Sequence, residues 1–491
     1  MSVKSVVVIG AGFAGISAAT SLASKGYKVQ VVEKNSMAGG RARKFKEKGF
    51  TFDMGPSWYW MPDVFDRYFE SFNKSTSDFY DLIRLDPSYK VVFGEDDEID
   101  LPSNYDELKA LFESIESGSS KKLDDFLKEA EYKYQVGINR LVYKPSLSVF
   151  EFVDLKLLVD MVRMEIFNSI YSHVRKFFKH EKLIKLMEFP ILFLGATAEK
   201  TPALYSLMNY ADIVLGTWYP QGGMHKIIEG MVSLAEEKGV EFIYNEPVKS
   251  LKYDSGKVIG VVTENNEYDV DSVVAACDYH HFDQQILSAE YRNYSLSYWD
   301  NRTMAPSSLI FYLGVDKKLD RLEHHNLFFD EDFTLHAEEI YEDPKWPSNP
   351  LFYVCVSSKT DHSAAPEGME NVFVLVPVAP DLNDDEETRE QYYALIMKRL
   401  EKLTNQNITD HVIYKKSYAH NNFIEDYNAF KGNAYGLANT LRQTAILKPS
   451  LKNKRLKNLY YTGQLTVPGP GVPPSLISGQ VVAEQVAKQL K

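Results

Sequence analysis

Ser5-Val-Val-Val-Ile9, Gly10-Ala-Gly12-Phe-Ala-Gly15 and Ile16 to Ser24 follow one another without a break near the N-terminus. Ser5–Ile9 is short, apolar and β-branched, which predicts a buried parallel strand. Ile16 to Ser24 has helical character and is closed by Gly26. Lys28 to Glu33 predicts a second strand. Together they form one βαβ unit of about 30 residues, with glycines in a G-x-G-x-x-G pattern. Gly10 is expected to make the tight turn and Gly12 to let a pyrophosphate approach the backbone. Gly15 is expected to bring helix and strand together. The helix N-terminus then offers free N–H groups and a partial positive charge. Glu33 stands eighteen residues past Gly15, where a carboxylate accepts hydrogen bonds from ribose hydroxyls.

The same stretch, Val6 to Ala23, is apolar enough to imitate a signal peptide or a membrane anchor. The glycine spacing argues against both, and Lys25-Gly26 follows without a cleavage-site pattern. No other run reaches the ~20 apolar residues that a bilayer-spanning helix needs.

A chain of 491 residues exceeds one simple core, so two or three lobes are expected. Hydrophobic residues make up 44% and charged residues 25%, which excludes disorder as the main state. The net charge of −13 excludes a general attraction for nucleic acid. Cys277 and Cys355 are the only cysteines; they form no disulfide framework and fit a reducing compartment.

Downstream of Glu33 come Met37-Ala-Gly39-Gly40-Arg41-Ala-Arg43 and Phe52-Asp-Met-Gly55-Pro56. The glycine pair lets backbone pass close to a cofactor, and Arg41 is a bidentate partner for phosphate. Gly216-Thr-Trp-Tyr-Pro-Gln-Gly-Gly-Met-His225 precedes an amphipathic helix through Ala235, then a strand at Val240 to Tyr244 and Pro247-Val248. Val258 to Val262 and Ser272 to Ala276 predict further strands. Asn458-Leu-Tyr-Tyr-Thr-Gly463 is followed by Pro468-Gly-Pro-Gly-Val472-Pro473-Pro474 and a helix from Leu476.

These motifs resemble the glutathione-reductase-type FAD proteins, in the amine-oxidase and carotenoid-desaturase branch. The C-terminal segment resembles the flavin-closing motif of bacterial and fungal-type phytoene desaturases. So do Leu309 to Leu319, Ser357 to Asp361 with Ala365-Pro-Glu-Gly368, and Asn428 to Gly432. The resemblance is loose only from about 75 to 215. It implies an α/β fold: a Rossmann-like FAD-binding domain, a discontinuous mixed-sheet substrate domain and a helical membrane-facing subdomain. The expected boundaries are 1–80, 221–280 and 418–491 for the first, 81–145 and 281–417 for the second, and 146–220 for the third.

The resemblance further implies that Gly10, Gly12, Gly15, Glu33, Gly39, Gly40, Arg41, Gly55, Pro56, Val248, Gly463, Val472 and Pro473 hold FAD. No cysteine lies near Gly463 to Gly479, so the thioether link to flavin is absent and the FAD is expected to be non-covalent. Trp58, Tyr59, Trp60 and His225 are candidates for the wall of a substrate tunnel, with core aromatics as the alternative. The implied activity is successive dehydrogenation of an acyclic carotene, most simply phytoene toward lycopene. A later-acting carotene desaturase, an amine or porphyrinogen oxidase and a non-catalytic binder on the same scaffold are the alternatives. A second dinucleotide fingerprint is missing, so oxygen or a quinone is expected as electron acceptor rather than NAD. Two departures stand out: four prolines in the C-terminal loop, and Gln221 where relatives carry a basic residue.

Val149 to Leu186 is apolar at helical spacing and carries Arg175, Lys176, Lys179, Lys182 and Lys185. Such a stretch lies in a membrane interface or forms core helices with a basic outer face. A membrane-dissolved carotene favours the first, with the protein cytoplasmic and peripheral to the inner face of the membrane. The histidine pairs His280-His281 and His324-His325 are expected on loops, in surface or structural roles, and no metal pattern is present.

Overall fold

Val6, Val7 and Val8 are fully buried because their strand is the middle of a sheet. In the computed structural model, which describes residues 3–152, 164, 165, 168–194 and 197–491, Ser5–Ile9 pairs in parallel with both Lys28–Val32 and Ser272–Ala275. Glu241–Ile243 and Leu459–Tyr461 extend the sheet to five strands, all parallel. The sheet therefore collects strands from the start, middle and end of the chain. Its first helix is Phe13–Ala23, buried at every position. That explains why it has no polar face and imitates a membrane segment in the sequence. It packs between Val472–Leu490 and His225–Glu237. Gly15 makes the fit possible, since a Cβ there would lie 1.9 Å from the Gly10 carbonyl oxygen.

A second, mixed sheet has seven strands, in the order Val412–Tyr418, Ser307–Val315, Glu370–Val378, Phe352–Cys355, His325–Phe328, Tyr89–Gly94 and Asp97–Leu101. All pairs are antiparallel except His325–Phe328 with Tyr89–Gly94. Ser307–Val315 is buried on both faces, as its unbroken apolar run implies. The hairpin Lys44–Glu47 and Phe50–Asp53 packs onto this mixed sheet. Asn371 Nδ2 donates to the Thr51 carbonyl, and Phe52 rings against Tyr312.

A helical layer covers the far side of the molecule. It contains Tyr105–Ile115, Ser119–Val136, Ile170–Phe177 and Glu181–Glu188. Part of the basic amphipathic stretch, 153–163 and 166–167, lies outside the described residues. Within the described part the cations are engaged locally. Arg175 pairs with Glu188, Lys176 with Glu165 and Lys182 with Asp97, and Lys185 Nζ donates to the Phe329 carbonyl. Among the described residues no helix is long and apolar enough to cross a membrane.

The histidine pairs are not on open loops. His280 and His281 form a half-buried helical turn, where His280 lies 3.9 Å from Phe430 between ring centroids. His324 and His325 are buried, and His325 opens a strand. Their burial follows from position: the strand they start is interior to the seven-stranded sheet.

Candidate active site

One continuous cavity of about 1050 Å³ runs from the carboxyl ends of the parallel strands into the space beneath the helical layer. This is at the upper end for a single small-molecule site, so it has room for a cofactor and a substrate together. Ligands in open α/β sheets bind outside the carboxyl ends of the strands, which is where Ile9, Val32 and Ala276 border the cavity.

At this end, Gly10, Gly12 and Phe13 form the turn and the helix N-terminus. Gly12 borders the cavity with open space at its Cβ position, and Gly40 lines the same cavity with its own Cβ position 3.4 Å from Gly12 Cα. Glu33 is buried and lines the cavity. Its Oε2 accepts from Ala11 N at 2.8 Å, and its Oε1 accepts from Asn35 N at 2.9 Å. A carboxylate has about four acceptor positions, so Oε2 keeps one for a hydroxyl. Gly39, Arg41, Gly55, Pro56, Val248, Gly463, Val472 and Pro473 line the same space. Gly15 does not; it acts behind the turn, in the packing described above. Val472–Leu490 points its N-terminus at the cavity, with Gly471, Pro473 and Pro474 around the opening turn. Proline suits these first positions because its missing N–H would be unpaired there anyway.

The residues present fit FAD. The guanidinium of Arg41 is buried, and burial pulls it below its ordinary value. Its Nε has no partner, while one Nη donates to the Asn433 carbonyl and the group sits 5.0 Å from the Tyr427 ring centroid. A buried cation with a free donor beside a glycine turn and a helix N-terminus is a site for an anion such as a pyrophosphate. When bound, a flavin supplies a hydride acceptor.

The other end of the cavity is apolar, with Trp58, Trp60, Met61, Ile138, Leu141 and Leu207 in its wall. Of the four tunnel candidates, Trp58 and Trp60 are there, with ring centroids 5.2 Å apart. Tyr59 is not: it alternates to the opposite side, stacks on Phe65 and meets the Tyr80 hydroxyl at 3.0 Å. His225 is not there either. It is buried in the first turn of its helix, where Nδ1 lies 2.7 Å from the Ala42 carbonyl. Both corrections have one cause, because adjacent residues of an extended segment and of a helix start face different ways.

Sequence reasoning missed the residues that support this wall. Trp60 Nε1 donates to Thr217 Oγ1 at 2.8 Å, and Thr217 Oγ1 donates to Asp212 Oδ1 at 3.2 Å. Tyr89 donates to Asp212 Oδ2, and burial pushes the Asp212 carboxyl up to about 7. Asp53, quoted as part of a motif, accepts from Met224 N at 2.8 Å and His225 N at 3.0 Å. It thus caps a helix distant in sequence. Gly223 has φ +100°, and a Cβ there would come 2.9 Å from Asp53 Oδ2. Asp361 holds the other side of the same turn through Gly222 N at 2.9 Å. Ala365-Pro-Glu-Gly368 is outside the cavity wall, with Pro366 packed against Gly49 of the hairpin. Gln221 is exposed in a turn, so that departure does not touch the cavity, whereas all four prolines of the C-terminal loop line it.

Comparison with known proteins gives the following. The family model described as flavin containing amine oxidoreductase matches residues 13–487. A carotenoid 3,4-desaturase of Haloarcula japonica is 40% identical, over 100% of this chain and 99% of that protein. A zeta-carotene-forming phytoene desaturase of Myxococcus xanthus is 30% identical, over 98% of this chain and 94% of that one. Among solved structures, an oxidoreductase of Methanosarcina mazei superposes with a TM-score of 0.65 at 17% identity, covering 98% of this chain and 100% of that one.

Proposed function

This chain belongs to the flavin-containing amine oxidoreductase family, within it to the carotenoid desaturases, and we propose that it dehydrogenates an acyclic forty-carbon carotene, phytoene toward lycopene being the first reading. Desaturation removes a hydride from one carbon and a proton from its neighbour. Bound FAD would supply the hydride acceptor; the protein's part is to hold a hydrocarbon that offers nothing to hydrogen-bond. The observation that carries the reading is one continuous cavity, in which the glycine turn, Glu33 and Arg41 at one end open directly onto an apolar wall of Trp58, Trp60, Leu141 and Leu207. Electron-rich faces of Trp58 and Trp60 stabilise the allylic cation that hydride loss creates.

A second reading is favoured by the 40% identity to a carotenoid 3,4-desaturase. Here the substrate is already partly desaturated, and a single new double bond forms near one end. Expression in two hosts separates the readings, one accumulating phytoene and one accumulating lycopene. Coloured lycopene in the first host supports the first reading. A shift to longer wavelength in the second host alone supports the later step. No change in either removes carotene desaturation.

The electrons are proposed to pass to oxygen or a quinone, and the FAD to be held without a covalent bond. The protein is proposed to work at the inner membrane surface, where its substrate dissolves. Leu147, Val149 and Phe150, exposed apolar residues beside the helical layer, support that placement.

A further inference from the structure

His325 and Cys355 face each other across two antiparallel strands, in direct register. Such pairs share one face of a sheet. His324 precedes the first residue of its strand, so it is released from strict alternation. Its ring comes to lie 4.5 Å from that of His325 between centroids. One ring nitrogen of each histidine and Cys355 Sγ fall within 4.8 Å of one another, and all three residues are buried.

The hydrogen bonding of the two rings is one-sided. His324 Nδ1 lies 2.7 Å from Thr360 Oγ1, and His325 Nδ1 lies 2.5 Å from the Tyr353 hydroxyl. Both Nε2 atoms are buried without any partner. Two orphaned imidazole nitrogens at 4% and 0% residue exposure would be costly in a finished core. In each ring one nitrogen is held by an oxygen and the other is free, which is the arrangement found around metal ions.

We propose that His324, His325 and Cys355 bind a borderline-soft transition-metal ion, most simply Zn2+, in a structural site behind the cavity wall. Two imidazoles and a thiolate are the donor set that such ions select. Ligand atoms on one tetrahedral zinc with bonds of about 2.0–2.3 Å lie about 3–4 Å apart, compatible with the 4.8 Å within which these three atoms fall. Binding replaces the S–H bond of Cys355 by a metal–sulfur bond and releases one proton to solvent. The ion would fix His325, which lies face to face with Trp58 at 4.1 Å and 10°. The site thereby positions an aromatic of the substrate wall and touches neither cofactor nor substrate.

The test uses the full flavin-loaded protein, exposed to Zn2+ and then dialysed against metal-free buffer. One zinc ion per chain is expected by mass spectrometry. X-ray absorption at the zinc edge should show one sulfur at about 2.3 Å and nitrogens at about 2.0–2.1 Å. Cys355→Ser should retain zinc about tenfold or more weakly, while His411→Gln at the surface retains it in full. Zinc that dialyses away completely, or an absorption spectrum without sulfur, overturns the proposal even where the serine variant does not fold. Full retention by Cys355→Ser overturns it as well.

Discussion

Glu33 Oε2 accepts a hydrogen bond from the backbone nitrogen of Ala11 at 2.8 Å, so the acid at the end of the second strand also shapes the glycine turn after the first. Its remaining acceptor position faces the cavity. Glu33→Ala should therefore weaken FAD by about 1.5–3 kcal/mol, the value of a hydrogen bond to a charged group. Glu47→Ala, on an exposed strand of the hairpin, should leave affinity unchanged. Titration of the apoprotein with FAD checks this, and equal dissociation constants would remove the ribose assignment.

The flavin should be released by denaturation. Cys277 does line the cavity, but burial pushes its thiol above the ordinary range, which withholds the thiolate that a covalent link would need. After unfolding in denaturant and filtration, the yellow colour should pass the membrane. Colour kept with the chain would show a covalent bond.

The nucleotide half was legible because its chemistry is local. Turn, helix start and strand end all fall within Ser5 to Glu33, and each glycine is set by a neighbour close in sequence. The apolar half was legible only in part. Trp58, Tyr59 and Trp60 are equally aromatic, and which of them face the cavity depends on backbone alternation and on partners far away: Tyr80 for Tyr59, Thr217 for Trp60. The supporting carboxylates were hidden for the same reason. Asp212 reads as an ordinary acid between apolar residues until Tyr89, from the seven-stranded sheet, is placed on it. Two adjacent histidines carry no periodicity that would place His324 and His325 in a strand. Their register against Cys355 exists only once the sheet is assembled.

Asp212 gives a pH signature. Burial holds its carboxyl at about 7, above the ordinary carboxylate range, so the native state keeps a proton that the unfolded chain loses. Stability from this group is present at low pH and is lost as pH rises toward about 7. Asn cannot ionise. Thermal melts of Asp212→Asn and the parent should therefore converge, or cross in favour of the variant, between about pH 5 and about pH 8. A difference in melting temperature that is flat across this range would contradict the shift.

Trp58 and Tyr59 should separate cleanly in mutagenesis although they are neighbours. Trp58→Ala opens the cavity wall and should lower kcat/KM for the carotene by about tenfold or more, with an altered product pattern. Tyr59→Phe removes only the hydroxyl contact to Tyr80, which should cost about 1 kcal/mol of stability and leave the products unchanged. Chromatography of the pigments together with denaturant melts distinguishes the two effects. A changed product pattern from Tyr59→Phe would mean that its side chain reaches the substrate.

The membrane contact is the last expectation, and the structure moves its weight from charge to apolar surface. Lys176 and Lys182 are held by Glu165 and Asp97, so their charge is already partly answered within the protein. Phe150, by contrast, is 81% exposed, and Val149 and Leu147 beside it are 52% and 43% exposed. Burying a phenylalanine in the interface is worth about 1.5–3 kcal/mol, against about 1 kcal/mol for each basic residue near an anionic surface. Phe150→Asp should therefore reduce co-sedimentation by about tenfold or more, on neutral and on anionic liposomes alike. Replacing Lys176, Lys179 and Lys182 together by glutamate should act on anionic liposomes and leave the neutral ones unaffected. If Phe150→Asp sediments like the parent on both, the exposed cluster is not the contact. If only the lysine variant fails, on anionic vesicles, the contact is electrostatic and lies on the basic helices.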